Sequence, residues 1–166
     1  MDTPIQVLLV EDNPADADLT RESFRGSARP VELNVAVSGS DAVDYLHKRG
    51  KFAAAATPDL ILLDLNLPGI DGKGVLGEIK QHAVLKRVPV SVLTSSTSEK
   101  DVVQSYELGA NCYIVKTLDF KSFQAIIKAV ENFWFSVVKL PATEQEPEPK
   151  RLGRLSAGCG AGDRSL

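Results

Sequence analysis

Short apolar runs alternate with stretches of helical periodicity through most of the chain. Ile5 to Val10 is almost wholly apolar and has the length of a strand. Val31, Leu33, Val35 and Val37 alternate with polar neighbours, the period of a strand with one face in water. Leu60-Ile61-Leu62-Leu63-Asp64-Leu65, then residues 88–93 and 112–115, supply three more apolar runs. Between them the spacing turns helical. Pro14 suits a first helical position, where its missing N–H costs nothing, and opens a helix to about Arg25. Residues 40–48 place Ala42, Val43 and Leu46 on one face, and the Ala-rich segment 51–58 returns the chain to the next strand. Further helices are predicted over 73–84, over 99–108 with Gly109 at a position that favours glycine, and over 120–138.

Five strand-helix units in series predict an α/β domain: a parallel, doubly wound sheet with right-handed crossovers and helices on both faces. The first, third and fourth strands are apolar on both faces and suit the interior of the sheet, whereas the alternating second strand suits an edge. The loops after strands one and three then flank the point where the winding reverses, where such sheets place their chemistry.

Polar side chains stand at these strand ends. Glu11-Asp12 follow the first strand, Asp64 ends the third, Thr94-Ser95 follow the fourth and Lys116 follows the fifth. Mg²⁺ takes oxygen ligands and keeps several waters, so Asp12 and Asp64 could bind it directly, Glu11 through a water, and Asn66 through its backbone carbonyl. With its charge screened, Asp64 becomes an oxygen nucleophile toward phosphorus, while Lys116 and Thr94 hold phosphate oxygens. Taken singly, Asp64, the Glu11-Asp12 pair and Thr94 read equally well as caps of the following helices, and Lys116 as a solvated lysine. The specific signal is their joint placement at one end of one sheet.

Composition narrows the classes. In 166 residues, 19 Lys and Arg against 22 Asp and Glu leave a net charge of −3, which gives no drive toward nucleic acid or anionic membrane. No run reaches the roughly 18 apolar residues of a membrane span, and the amino end lacks the basic start of a secretory signal, so a cytoplasmic protein is expected. Cys112 and Cys159 form no disulfide framework. From Pro141 the chain turns to Pro, Glu, Gly, Ser and Arg, predicting a domain over 1–140 and a disordered tail over 141–166. His47 and His82 read as single exposed histidines on helical faces.

The motifs resemble the receiver domains of two-component response regulators. They run in the family's order: Glu11-Asp12-Asn13, Asp64-Leu-Asn-Leu-Pro-Gly-Ile-Asp-Gly72, Thr94-Ser95, and Gly109-Ala-Asn-Cys-Tyr113-Ile-Val-Lys116. The resemblance implies a flavodoxin-like (βα)5 fold with strand order 2-1-3-4-5. It also implies a Mg²⁺-dependent phosphoryl transfer from a sensor histidine kinase to Asp64. Thr94 then moves toward the phosphoryl group, Tyr113 swings inward, and the face made by helix 4, strand 5 and helix 5 changes for a downstream protein target. The family often has proline after the lysine in a cis peptide. Here Thr117 follows, and since a cis bond without proline costs about 2.5–4 kcal/mol, the sequence leaves the isomer of the Lys116–Thr117 bond open.

A narrower likeness lies in Asn111-Cys-Tyr113 and Asn132-Phe-Trp-Phe-Ser-Val-Val-Lys-Leu-Pro141, which is similar to small single-domain regulators that partner bacterial and cyanobacterial phytochrome kinases. On an α-helical wheel the apolar residues from Phe120 to Val138 span about 140°, wider than the usual stripe of roughly 100°. Phe135 falls outside that arc. Phe133, Trp134, Phe135 and Val137 are therefore expected to form a homodimer surface, unless the end of the helix is simply more deeply buried.

Two enzyme readings compete. Gly72-Lys-Gly74-Val-Leu-Gly77 has the spacing of a dinucleotide-binding loop, but eight residues separate it from its strand and no acid ends the next strand to hold a ribose, so close packing is expected instead. Phosphatases of the haloacid-dehalogenase type also use a strand-end Asp, but they need a second Asp two residues on as general acid, and here that residue is Asn66. No second folded segment is expected after residue 140 and the basic residues of the tail are few, which argues against a DNA-binding output.

Overall fold

The computed structural model describes residues 3–142. Five strands, β1 (Ile5–Val10), β2 (Val31–Ala36), β3 (Leu60–Leu63), β4 (Val90–Thr94) and β5 (Cys112–Val115), alternate with α1 (Pro14–Ser23), α2 (Gly39–Leu46), α3 (Gly72–Gln81), α4 (Glu99–Glu107) and α5 (Phe120–Asn132). All pairings are parallel and the order is β2-β1-β3-β4-β5. The predicted fold is the one found, with the alternating strand at an edge. Its boundaries move by a few residues: Thr94 closes β4 instead of following it, and α1 stops at Ser23.

Strand geometry sends successive side chains to opposite faces and so builds two cores. Leu8, Val10, Ile61, Leu63, Val90 and Val92 pack with Ala42, Leu46, Val75 and Ile79 of α2 and α3. Val7, Leu9, Leu60 and Leu62 pack with Ala17 of α1 and Phe123, Ile127 and Val130 of α5. Side chains such as Leu62 and Ile127 are wholly buried, and each contributes about 1.5–3 kcal/mol relative to exposure.

Every α-helix has a side-chain cap at its start. Asn13 accepts from the amides of Ala15 and Asp16, Ser38 caps α2, Asp71 caps α3, Ser98 caps α4 and Asp119 caps α5. Glu11, Asp12, Asp64 and Thr94 cap no helix, which removes the plainest alternative account of them.

Two helix ends differ from expectation. Helix α3 stops at Gln81, where His82 is extended and its Nδ1 accepts the amides of the following Val84 (3.2 Å) and Leu85 (3.1 Å). The His82 ring lies 5.3 Å from that of His47, so these half-buried histidines form a pair rather than standing singly on exposed faces. Helix α5 stops at Asn132 and continues as a π-helical turn, Phe133–Val137, closed by the Val138 amide on the Phe133 carbonyl.

A π turn adds a residue and rotates the side chains after it. Phe135, outside the apolar arc of an α-helix, is thereby carried into the core and packs beside Phe24 at 6.2 Å between ring centres. Trp134 is half-buried and donates its indole N–H to Ser91 Oγ at 3.0 Å. Of the four residues expected on a dimer surface, Phe133 (48% exposed) and Val137 (65%) are open, while Phe135 (5%) belongs to the core.

The predicted tail lies outside the described residues apart from Pro141 and Ala142. Among the described residues no helix is long and apolar enough to cross a membrane.

Candidate functional site

The sheet itself brings the site together. Backbone pairing runs on beyond the strands: the Glu11 amide donates to the Ala36 carbonyl (3.0 Å), the Asp64 amide to Val10 (3.0 Å) and the Lys116 amide to Thr94 (2.8 Å). These bonds fix the residues just past β1, β3 and β5 at the carboxyl edge of the sheet. Gly72 closes the loop behind Asp64. A Cβ there would lie 2.3 Å from the Asp64 carbonyl oxygen and 2.5 Å from Leu65 Cα, so only glycine lets α3 begin this close to the strand end. Gly72 thus serves close packing, the role expected when the dinucleotide pattern was set aside.

At that edge carboxylate oxygens of Glu11, Asp12 and Asp64 lie within 4.8 Å of one another. Glu11 and Asp64 are buried and Asp12 is open to solvent. The Lys116 ammonium reaches Glu11 Oε2 at 2.5 Å, Asp64 Oδ2 at 3.0 Å and Asp16 Oδ2 at 3.1 Å. The remaining carboxylate oxygens are held from below: the Asn13 amide donates to Glu11 Oε1 (3.0 Å) and the Asn66 amide to Asp64 Oδ1 (3.2 Å). Thr94 is fully buried, with its Oγ1 facing the Ser96 amide at 3.5 Å. Tyr113 donates its hydroxyl to the Ser96 carbonyl at 2.9 Å. The Lys116–Thr117 bond is trans, as are all peptide bonds among the described residues.

Electrostatics follow from burial and crowding. Burial pushes the Glu11 carboxyl above its ordinary range, the Asp64 charge adds to this, and the Lys116 hydrogen bond only partly offsets them. Burial alone would lower Lys116. The hydrogen bond to Glu11 and the charge of Asp64 outweigh it and hold the ammonium above its ordinary value. Several acids share one cation, so negative charge remains for a divalent ion to neutralise.

The donor set fits such an ion: hard oxygen ligands, an open side at Asp12, and no sulfur or imidazole in the cluster. Asp12, Asp64 and Glu11 could hold it, and it would supply charge neutralisation to an incoming phosphate. The ammonium is placed to add a second positive charge on the same carboxylate.

The structure therefore gathers Glu11, Asp12, Asp64, Thr94 and Lys116 at one edge, with Asn66 on the loop after Asp64 and Tyr113 bonded to the carbonyl of Ser96 in the loop after Thr94. Two participants were not read from the sequence. Asp16, the third acid on Lys116, lies in the first turn of α1, and its only sequence signal is that α1 starts at the same sheet edge as Glu11-Asp12. Ser96, which faces both Thr94 and Tyr113, carries no signal beyond its place in the β4–α4 loop.

Comparison with known proteins agrees with this geometry. Residues 7–128 match the response regulator receiver domain family. The response regulator Rcp1 of Synechocystis is 45% identical over 139 residues, covering 84% of this chain and 95% of the relative. The crystal structure of the phosphorylated cyanobacterial phytochrome response regulator RcpA superposes with a TM-score of 0.82 at 45% identity, covering 84% of this chain and 100% of RcpA. The Mn²⁺-bound form of Rcp1 gives a TM-score of 0.81 at 45% identity with the same coverage. With the doubly wound sheet, the three-carboxylate cluster and the caged lysine, the chain belongs to the response regulator receiver domain family.

Proposed function

We propose that the chain is a response regulator that accepts a phosphoryl group on Asp64 from the phosphohistidine of a sensor histidine kinase, in the cytoplasm and in a Mg²⁺-dependent reaction. The observation that carries this reading is the placement of Asp64 Oδ2 3.0 Å from the Lys116 ammonium inside the cluster of Glu11 and Asp12. In the transfer a carboxylate oxygen of Asp64 attacks phosphorus, the N–P bond of the donor breaks, its electron pair returns to imidazole, and an acyl phosphate forms. Asp12, Asp64 and the Asn66 carbonyl would hold the cation, with Glu11 acting through a water. Lys116 and Thr94 bind phosphoryl oxygens, and Tyr113 reports the change to the face of α4, β5 and α5. That face carries exposed Val103, Tyr106, Val115 and Phe120, which supports output through a protein target.

The likeness to the phytochrome regulators Rcp1 and RcpA supports a phytochrome-type kinase as donor. Exposed Phe133 and Val137 on the π turn support a homodimer. The reading is tested by incubating the protein with a small phosphodonor, with a phytochrome-type kinase and with unrelated kinases. Alkali-labile, hydroxylamine-sensitive labelling should require Mg²⁺, should be fastest from the phytochrome-type kinase, and should vanish in Asp64→Asn. Undiminished labelling of that variant would mean a different acceptor.

A further inference from the structure

We propose that Ser96 is a positioning residue for the phosphoryl site, held by an ion pair between Lys73 and Asp101, and that this latch sets where Thr94 and Tyr113 stand. The inference rests on the phosphoacceptor reading of Asp64. All the polar groups of Ser96 are engaged. Its amide faces Thr94 Oγ1 at 3.5 Å, its hydroxyl donates to Asp101 Oδ2 at 2.6 Å and accepts from the Ser98 amide at 3.3 Å, and its carbonyl accepts the Tyr113 hydroxyl at 2.9 Å. The second oxygen of Asp101 takes the Lys73 ammonium at 2.5 Å, and Lys73 also donates to Gln104 Oε1 at 2.6 Å.

Lys73 directly follows Gly72, whose amide is bonded to the Leu65 carbonyl at 3.0 Å. One connected path thus joins the loop bearing Asp64, the loop that follows Thr94 at the end of β4, and the strand bearing Tyr113. Helix capping does not account for it. Asp101 is the third residue of α4, where an acid would ordinarily reach back to the amide of the capping residue Ser98. Here that amide goes to Ser96 Oγ, and the carboxylate turns to Ser96 and Lys73 instead. Lys73 and Ser96 also keep the Asp101 carboxyl below its ordinary range, so it stays charged throughout the neutral region.

The chemical consequence lies at Thr94. A hydroxyl oxygen that faces an amide N–H has its own proton directed elsewhere, free to be donated to a phosphoryl oxygen. Loosening the loop would take away both that orientation and the acceptor for Tyr113. Neither Lys73, Asp101 nor the Ser96 side chain belongs to the carboxylate cluster, so cation binding should not depend on them.

The test uses the full chain labelled with 3-fluorotyrosine, which gives one resonance for each of its three tyrosines, with Tyr113 assigned from Tyr113→Phe. In Lys73→Met, Asp101→Asn and Ser96→Ala the Tyr113 resonance should move toward its solvent-exposed position. Labelling of Asp64 by acetyl phosphate should slow by about threefold to fivefold, the effect of one partly exposed ion pair. Mg²⁺ affinity should be unchanged, and Lys73→Arg should restore both signals. An unmoved Tyr113 resonance in Lys73→Met and Asp101→Asn overturns the proposal, as does a loss of labelling that follows Mg²⁺ affinity. If the unaltered protein takes no label at all, the phosphoacceptor reading fails, and the resonance alone then decides the latch.

Discussion

Replacing Lys116 by alanine removes the one ammonium shared by Glu11, Asp16 and Asp64. Glu11 (3% exposed) and Asp64 (6%) are then buried acids without a counter-charge. Two like charges no more than 4.8 Å apart, the limit of the cluster, repel by at least about 3 kcal/mol at an effective dielectric near 20, and breaking a buried ion pair costs about 3–5 kcal/mol. Protonation of Glu11 gives partial relief, so a loss of about 3 kcal/mol at neutral pH is expected. For a domain of this size that lowers Tm by roughly 10 °C in the absence of metal.

The sign with pH follows from Glu11. Its folded-state value is already raised above 4.5 by burial and rises further without Lys116. The associated stability is fully present below that ordinary value and is lost as pH climbs through the raised one, so the deficit of the variant should shrink on acidification. Mg²⁺ should shrink it too, since a ligand at 100 times its Kd adds about 2.7 kcal/mol. With the competing ammonium gone, the ion should bind the variant more tightly than the unaltered protein. Thermal melts across pH 4–8 with and without Mg²⁺, together with calorimetric titration of the ion, measure all three effects. A metal-free variant that melts with the unaltered protein, or one that no longer binds Mg²⁺, would refute the division of roles between lysine and carboxylates.

Phe135→Ala should cost about 3–5 kcal/mol in a urea melt, whereas Phe133→Ala should cost under about 0.5 kcal/mol and lower the dimer fraction in light scattering. Gly72→Ala should destabilise by about 1–3 kcal/mol through overpacking against Asp64 and Leu65, and equal melts would show that α3 can retreat. In a Cys159→Ser background, Cys112 should alkylate slowly at neutral pH, because burial raises its thiol and outweighs the hydrogen bond with Ser91. The unaltered chain should not sustain turnover of an aryl phosphate, and multiple turnovers would favour the phosphatase reading.

The pattern of Leu60 to Leu63, wholly apolar, against Val31 to Val37, alternating, was enough to separate interior from edge strands. Burial on two faces and on one face leave different periods in a sequence. Serial strand-helix units with a single allowed crossover hand then left little freedom in the winding, and Glu11, Asp12, Asp64, Thr94 and Lys116 could be read because each abuts a strand end. Tertiary structure alone decided what depends on relations between distant segments. Asn13, Asp71 and Ser98, rather than the site residues, turned out to cap the neighbouring helices. The π turn moved Phe135 from an expected surface to the core, since one added residue per turn rotates every later side chain and α-helical periodicity cannot anticipate it. Asp16 on Lys116, and Ser96 between Thr94, Tyr113 and Asp101, come from ordinary polar residues whose partners lie tens of residues away. Local composition records whether a side chain is buried or exposed, whereas the identity of its neighbour is set only when the sheet has closed.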